Sequence, residues 1–244
     1  MKLINLSNTE IEDYTELLSY SGLEYFAGHF VKLSNHQSLT DFIMNPAQET
    51  LFDIYKTQNK SIGKIARQMG TTTSHCIFSL YSAMTQRDQT IAIVGINAME
   101  YRYYNAIIRQ IYENLPSHIK RLALMTTSNR SIFEFDNGSR ILLTSYSDSM
   151  LRGMTCNTII FDNIGHINSN CYETIANLLA IFYHSKIIIS VSGNSNEFVD
   201  QILNNKSFYT YVIDAVNYDN NIDLDQIQCV MGLDSFKREY LCEF

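Results

Sequence analysis

The sequence predicts an α/β fold in which a mostly parallel central sheet is flanked by helices and carries a β-hairpin insertion. Strand-like and helix-like segments alternate along the chain, as they do in parallel sheets covered by helices on both faces. The 244 residues are 45% hydrophobic and 18% charged with two prolines, a composition typical of a globular protein with a sizeable core. We expect the main domain to cover residues 41–244. Residues 1–40 are expected to form an irregular N-terminal appendage with a short helix near Ile11–Ser19.

The alternating elements begin at Pro46, which suits the first turn of a helix that we expect to continue to Tyr55. The strand-like runs are short and rich in β-branched residues: Ser61–Ala66, Thr90–Gly95, Thr158–Asp162 and Lys186–Ser192. The helical patterns are Thr72–Met84, Met99–Asn114, Cys171–Tyr183, Asp223–Val230 and Ser235–Leu241.

One hairpin interrupts this alternation. Ser131–Phe135 and Arg140–Thr144 both read as strands, and Asp136-Asn137-Gly138 lies between them. Asn-Gly between two hydrophobic runs is a strong hairpin signal, because both residues tolerate the positive φ angles of tight turns. We therefore expect an antiparallel pair here.

Charge and cysteine content argue against several classes of function. A net charge of -7 gives little counterion release on DNA, so DNA binding by the chain alone is expected to be weak, although a local basic patch is compatible with it. Five cysteines and six histidines are scattered without metal-ligand spacing, which favours reduced thiols and no structural metal. We expect no membrane span and no signal peptide. Asp219–Asp225 lacks the glycine and glutamate of a calcium loop and is expected to be a solvated connector.

The segment between the first strand of the main domain and the helix after it is placed like a phosphate-binding loop. Backbone N–H groups and a helix N-terminus can face an anion at such a junction. In a working loop, glycine is followed by a lysine that reaches the outer phosphates and by a hydroxyl residue that binds magnesium. Here Gly70 is followed by Thr71 and Thr72, so this fragment alone is a weak signal and is also compatible with an ordinary capped helix.

A second segment, the strand Thr158–Asp162, ends in a carboxylate. A buried strand that ends in aspartate is the usual way to hold magnesium beneath bound phosphates. The next residue in such ATPases is typically a glutamate that polarises the attacking water, whereas Asn163 cannot act as a base. A core strand that ends in a polar turn explains this segment equally well.

In order and spacing, five segments resemble the ATPase domain of the large terminase subunit of tailed bacteriophages, the DNA-packaging motor. The resemblance covers about Phe30 to Phe244 and implies a P-loop NTPase-like fold of the RecA/ASCE type, with Walker A and Walker B elements. The family's nuclease domain is expected to be absent. The five segments are Ala66–Thr72 at the phosphate loop, Phe133–Ser139 at a strand-turn-strand element, Leu151–Gly153 ahead of the aspartate strand, Ile187–Asn194 at the coupling motif, and Phe236–Tyr240 with Phe244 at the element that closes the domain.

The resemblance implies a role for each matching residue. Gln48 is expected in the adenine-sensing element, Arg67 at the transition-state phosphate, and Ser192 in the coupling motif that passes the nucleotide state to DNA movement. Thr72 and Asp162 are expected to hold magnesium. The implied nucleotide-binding set is Gln48, Lys64, Arg67, Gln68, Gly70, Thr71, Thr72 and Thr73. The implied cofactor is Mg-ATP. The implied partners are a portal, a small terminase, a nuclease subunit or further copies of the chain, in the cytoplasm of an infected bacterium.

Three positions depart from the family pattern. Thr71 replaces the phosphate lysine, Asn163 replaces the catalytic glutamate, and Ala47 stands where an aromatic side chain commonly stacks on adenine. Loss of a water-activating base costs about 10²–10⁴ in rate, and loss of a cation on the transferred phosphate costs about 10³–10⁵. Lys64 is a candidate replacement, because some terminases place the lysine early in the loop.

Three functions fit these observations. The first is a terminase-derived pseudo-ATPase that acts as a regulator or non-hydrolysing subunit in viral DNA packaging. The second is an active motor ATPase that works with a separate nuclease and uses Lys64 or residues of a neighbouring subunit. The third is a nucleotide-binding interaction module without hydrolysis.

Overall fold

A central sheet organises the chain. The computed structural model describes residues 6–35, 38–146, 151, 153–194, 196–218 and 222–244. Arg152, which belongs to one of the resembling segments, and residues 219–221 of the expected connector therefore lie outside the described residues. The strands are β1 (Lys32–Asn35), β2 (Ser38–Asp41), β3 (Lys60–Ile65), β4 (Thr90–Gly95), β5 (Met125–Ser128), β6 (Ile132–Phe135), β7 (Arg140–Ser145), β8 (Thr158–Phe161), β9 (Lys186–Val191) and β10 (Tyr209–Ile213).

Helices precede, separate and follow these strands. They are α1 (Asn8–Leu17), α2 (Gly22–Phe30), α3 (Pro46–Thr57), α4 (Thr71–Thr85), α5 (Ala98–Asn114), α6 (Ser117–Lys120), α7 (Tyr172–Ile181), α8 (Glu197–Leu203), α9 (Leu224–Met231) and α10 (Leu233–Tyr240). None of the described helices has both the length and the apolarity needed to cross a lipid bilayer.

The main sheet has the strand order β10-β3-β9-β8-β4-β7-β6-β5. From β10 to β7 all neighbours pair in parallel, and β7, β6 and β5 then pair antiparallel at one edge. The predicted mostly parallel α/β fold is therefore confirmed. Because β9 lies between β3 and β8, the carboxyl ends of these three strands meet at one edge of the sheet.

Burial on both faces explains the continuous hydrophobic strands. Strands β4 and β8 are buried along their whole length. Alternate strand residues join two separate hydrophobic clusters, as Ile160 and Ile159 do on neighbouring positions of β8. One cluster packs under α2 to α5 and the other under α7 and α8. A parallel sheet covered in this way has no solvent-facing side that would require polar alternation.

The predicted hairpin is confirmed and extends the main sheet. Strand β6 pairs antiparallel with β7, while β7 also pairs in parallel with β4. Gly138 turns the chain with a φ of 85°. Asn137 donates its side-chain amide to the carbonyl of Ala83, which fixes the turn to the end of α4. The sequence did not predict β5, which adds a further antiparallel strand at this edge.

The N-terminal segment packs against the main domain. The short helix expected near Ile11–Ser19 is α1, and α2 follows it without having been predicted. Leu23, Phe26 and Phe30 of α2 are buried in the same hydrophobic cluster as the helices α3 to α5. The division into residues 1–40 and 41–244 stays a prediction, and the two parts share this cluster.

Candidate functional site

The loop between β3 and α4 adopts a backbone conformation that depends on glycine. Gln68 and Gly70 have φ angles of 65° and 77°. A Cβ atom at Gly70 would lie 2.3 Å from Nε2 of Gln48, so any larger residue would collide with that side chain. Gly70 caps α4, which begins at Thr71, so the predicted strand-loop-helix junction is present.

Gln48 of α3 forms a hydrogen bond with this loop. Its Nε2 donates to the carbonyl of Gly70 at 3.3 Å, and its Oε1 accepts the backbone N–H of Asn45 at 3.1 Å. Asn45 caps α3 through the N–H of Gln48 and donates its own side chain to the carbonyl of Met69 at 3.4 Å. Gln48 is 4% exposed and is not among the residues that line the adjacent pocket. Its role in adenine recognition stays a prediction.

A pocket of about 480 Å³ opens at the carboxyl ends of β3 and β9, in front of the loop. Most of the predicted site residues line it together. Glu100, Tyr103 and His166 also line it and were not predicted. The complete lining is Ile65 to Thr73, Ile96, Glu100, Tyr103, Asn163, His166 and Ser190 to Ser192.

Asp162 is 1% exposed and does not itself line the pocket, but it contacts the lining residues Thr72 and Ser190. Its Oδ2 accepts the hydroxyl of Thr72 at 2.9 Å and that of Tyr104 at 3.0 Å, and its Oδ1 accepts the hydroxyl of Ser190 at 2.6 Å. Nδ1 of His75 lies 3.6 Å from Oδ1. The structure therefore brings together Thr72 and Asp162, the pair expected to hold magnesium.

This network keeps the Asp162 carboxylate ionised. Burial raises the pKa of Asp162, but the electrostatic influence of the nearby His75 ring and hydrogen bonds from Ser190 and Thr72 outweigh it and lower the pKa to about 2. The pKa of the Tyr104 phenol is raised, first by burial and then by the charge of Asp162. Tyr104 therefore stays a proton donor toward the carboxylate at neutral pH.

The chemistry of these donors fits one half of a magnesium site. Magnesium prefers oxygen ligands and commonly uses one or two carboxylates together with water and substrate phosphates. Thr72 and Asp162 supply a hydroxyl and a carboxylate side by side. Across the described ranges, no three His, Cys, Asp or Glu side chains cluster closely enough to hold a metal. Magnesium at this position would complete its coordination with water and with the phosphates of a bound nucleotide.

The residue after Asp162 has different chemistry. Asn163 has a φ of 58°, a left-handed conformation that asparagine tolerates better than most side chains. Its Oδ1 accepts the hydroxyl of Ser192 at 2.8 Å, and its N–H donates to Ser190 at 3.0 Å. The amide at this position orients Ser192 but cannot take a proton from water.

Arg67 and Lys64, the two cations predicted for the site, both contact residues near the C-terminal end of the sequence. Arg67 donates from Nε to Glu239 of α10 at 2.6 Å and from a terminal nitrogen at 3.2 Å. Lys64 donates its ammonium to the carbonyl of Phe244 and lies 4.4 Å from the centre of that ring. Lys64 is not among the pocket-lining residues, so the structure does not bring it to the site as a substitute for the missing lysine. The physical reason is that the terminal segment supplies both a carbonyl and an aromatic face to its ammonium.

Ala47 and Thr71 are the other two residues that differ from the family pattern. Ala47 is fully buried in the core, so its position offers no surface for stacking on adenine. Thr71 is the first residue of α4 and lines the pocket with a neutral side chain.

Glu100 is a pocket carboxylate that sequence reasoning missed. Its Oε2 accepts the N–H of Ile96 at 2.6 Å and faces the hydroxyl of Tyr104 at 3.4 Å. Burial is the main cause that raises its pKa. The sequence carried a signal for this residue. Asn97 caps α5 directly after β4, and the carboxyl end of β4 lies at the same edge of the sheet as that of β8, so the first turn of α5 could have been placed near Asp162.

No protein-family model and no curated protein matches this chain. Solved structures do. The ATPase domain of the large terminase of Thermus phage P74-26 is 12% identical with a TM-score of 0.66, over 83% of this chain and 94% of that one. The large terminase of bacteriophage HK97 is 12% identical with a TM-score of 0.63, over 84% of this chain and 45% of that one.

The large terminase of another thermophilic bacteriophage, solved in complex with ADP, is 11% identical with a TM-score of 0.60, over 81% of this chain and 52% of that one. This chain thus spans about half the length of the HK97 chain and of the ADP-bound chain. The UvsW helicase of bacteriophage T4 is 10% identical with a TM-score of 0.50, over 80% of this chain and 67% of that one. At these identities the likeness concerns the fold: the chain has the fold of the ATPase domain of bacteriophage large terminases.

Proposed function

We propose that the chain is a terminase-type protein of a phage DNA-packaging apparatus whose nucleotide pocket has lost fast hydrolysis. It acts as a regulator or a non-hydrolysing subunit beside a portal, a small terminase, a nuclease subunit or other copies of itself. The observation that carries this proposal is the contrast between two adjacent residues. Asp162 is paired with Thr72 as a magnesium site requires, whereas Asn163 donates and accepts hydrogen bonds but holds no base.

Nucleotide binding is supported by the shape of the pocket and by its structural neighbours. The large terminase of the thermophilic bacteriophage solved with ADP has also been solved with ATP-gamma-S. Here residues of the loop and of the first turn of α4 line a pocket of about 480 Å³, a size common for small-molecule sites. A helix N-terminus next to such a loop favours anions.

Weak binding and slow hydrolysis follow from the charges. Among the described lining residues, Arg67 is the permanent cation, and it shares its charge with Glu239. A triphosphate would have to compete with that carboxylate for the guanidinium. Thr71 adds no charge where a lysine would reach the outer phosphates. Loss of both the lysine and the base brings hydrolysis close to the uncatalysed rate, even when the two effects are not additive.

A second candidate is an active motor ATPase, and Glu100 favours it. This carboxylate lines the same pocket, and burial raises its pKa, which makes it a stronger proton acceptor than an exposed glutamate. Under this alternative, DNA and partner proteins would stimulate hydrolysis. Substitution of Glu100 by glutamine would then abolish the stimulated rate.

The test measures Mg-ATP binding by calorimetry and phosphate release by the purified chain. We expect weak, magnesium-dependent binding and no turnover above background, with and without DNA. The Thr72→Val variant should lose the magnesium dependence, because it removes one ligand while keeping the side-chain shape. Thr85→Val, at the far end of the same helix, is the matched control and should bind like the wild type.

Each outcome decides among the three functions. Turnover at about 1 s⁻¹ or faster, which is ordinary for enzymes, would contradict the loss of hydrolysis. Binding without any effect on packaging partners would favour the nucleotide-binding interaction module. No heat at millimolar Mg-ATP would contradict the nucleotide pocket itself.

A further inference from the structure

A second, open depression lies at the opposite edge of the sheet, at the amino ends of β3, β9 and β10. It measures about 720 Å³. Because these strands are parallel, this edge is separated from the pocket beside Asp162 by the length of the strands. The lining residues are Thr57 to Lys60, Tyr183 and Lys206 to Tyr209.

The charge of this depression differs from that of the chain. Acidic residues outnumber basic ones by 25 to 18 in the whole sequence, yet none lines this depression. Its two charged side chains are Lys60 and Lys206. Neither forms an ion pair with any carboxylate that the structure describes. The depression is therefore a positive site on an acidic protein.

Aromatic rings are exposed beside these lysines. Tyr183 is 55% exposed and Tyr209 is 46% exposed. The ammonium of Lys60 lies 3.1 Å from the centre of the Tyr183 ring. Tyr209 stacks on Tyr211, with ring centres 6.2 Å apart. Lys60 thus covers one face of Tyr183 and Tyr211 packs against Tyr209, while about half of each tyrosine stays exposed to solvent within reach of positive charge. We call Lys60, Tyr183, Lys206 and Tyr209 the lysine–tyrosine surface.

The backbone that carries this surface is fixed on both sides. Lys186 donates its ammonium to the carbonyl of Gln58 at 2.6 Å, and the N–H of Ile187 donates to Asn59 at 2.8 Å. On the other side, the side chain of Asn205 accepts the N–H of Ser207 at 3.0 Å. A surface that is ordered before the ligand arrives loses less entropy on binding.

We propose that the lysine–tyrosine surface binds single-stranded nucleic acid. Bases stack on Tyr183 and Tyr209, and backbone phosphates lie at Lys60 and Lys206. Stacking on exposed aromatic side chains combined with positive charge is how proteins hold single strands without reading their sequence. A duplex keeps its bases stacked on each other and cannot offer them to the rings. An acidic peptide would use the lysines and leave the rings without a partner.

The test is fluorescence anisotropy of a labelled deoxythymidine strand of about twelve nucleotides, within the range of known single-strand sites, at low ionic strength. We expect the double variant Tyr183→Leu/Tyr209→Leu to bind at least about 25-fold more weakly, because each of the two stacked bases contributes about fivefold or more. The double variant Lys60→Gln/Lys206→Gln should flatten the dependence of log affinity on log salt by about 1.4, since each phosphate contact in a single strand contributes about 0.7.

Tyr20→Leu is the matched control. Tyr20 is also an exposed tyrosine beneath a lysine, with Lys56 at 4.4 Å from its ring centre. Lys56, however, is paired with Glu24, so this second pair lacks free positive charge. We expect Tyr20→Leu to bind the strand like the wild type.

Several outcomes would overturn the proposal. These are no binding by the wild type at low salt, equal affinity for a duplex of the same length, equal affinity for polyglutamate, and unchanged binding in both double variants. Competition by Mg-ATP would also overturn it, because that result would place the strand in the pocket beside Asp162. Binding that survives saturating Mg-ATP supports it, whether or not the chain proves to bind nucleotide.

Discussion

The two sides of the candidate nucleotide pocket differ in how their side chains are held. On the magnesium side, Asp162 is buried and accepts hydroxyls from Thr72, Tyr104 and Ser190. On the phosphate and water side, Thr71 and Asn163 are half-buried, and Arg67 is paired with Glu239. Under the proposed function, the first side keeps the residues that bind magnesium and the second lacks the cation and the base that hydrolysis uses.

The difference shows that some residues of the pocket contribute to the stability of the fold, whereas others would contribute only to the reaction. Asp162 satisfies several buried hydroxyls at once, so the folded state depends on it whether or not a nucleotide binds. A lysine at position 71 or a glutamate at position 163 would contact mainly the nucleotide and water. Under the proposed function, Thr71 and Asn163 at these positions therefore cost the fold little, while they supply neither the charge nor the proton acceptor that hydrolysis uses.

The largest change in the free energy of unfolding is expected at Asp162, because this residue of the magnesium side is also buried in the core. Asp162→Ala should lower the free energy of unfolding by about 3–5 kcal/mol, because it leaves the partners of a buried carboxylate without an acceptor. Asn163→Gly is the matched neighbour, since glycine accepts the left-handed backbone and only the bond to Ser192 is lost, worth about 1 kcal/mol. Denaturant unfolding measures both. Equal losses in the two variants would remove the distinction between the sides.

A medium effect is expected from acid. The folded-state pKa of Asp162 is lowered from 3.8 to about 2, so its contribution to stability is complete above about pH 4 and is lost as the pH falls to about 2. The shift corresponds to about 2 kcal/mol. Unfolding measured with chelator from pH 5 to pH 2 should show this loss in the wild type and a smaller one in Asp162→Asn. The same acid profile in both proteins would show that Asp162 is not the group responsible.

The smallest effect is expected at the exposed pair of Arg67 and Glu239. Glu239→Gln should change the free energy of unfolding by no more than about 1 kcal/mol, because the guanidinium is half exposed to solvent. Release of Arg67 should tighten binding of tripolyphosphate by up to about fivefold, the affinity equivalent of that energy. Calorimetry measures it, with Glu243→Gln, the partner of Lys237, as the control. Weaker binding in Glu239→Gln would show that Glu239 supports anion binding.

The fold was largely predictable because its signals are local. Runs rich in β-branched residues predicted β4, β8, β9 and the less regular β3, and Asn137-Gly138 predicted the hairpin turn. Strand β10 was missed although Tyr209–Ile213 consists of aromatic and β-branched residues, and α2 was missed because its role depends on packing against distant helices. Local patterns carry no information on such packing.

The site was predictable in part for the same reason. Motif spacing predicted that Thr72 and Asp162 hold magnesium together; their side chains are hydrogen-bonded in the structure, and the role in magnesium binding stays a prediction. The partners of Arg67 and Lys64 are Glu239 and Phe244, more than 170 residues later in the sequence. No spacing rule near the loop could have indicated that the C-terminal segment holds both cations.

The most direct measurement compares phosphate release by the wild type with that of the double variant Thr71→Lys/Asn163→Glu, with each single variant as a control. The double variant restores the phosphate cation and the proton acceptor beside an intact Thr72–Asp162 pair. We predict background turnover by the wild type and a gain of at least about 10²-fold in the double variant, the lower range for a restored general base. Wild-type turnover already at motor rates, or a double variant that binds Mg-ATP and gains nothing, would contradict the account.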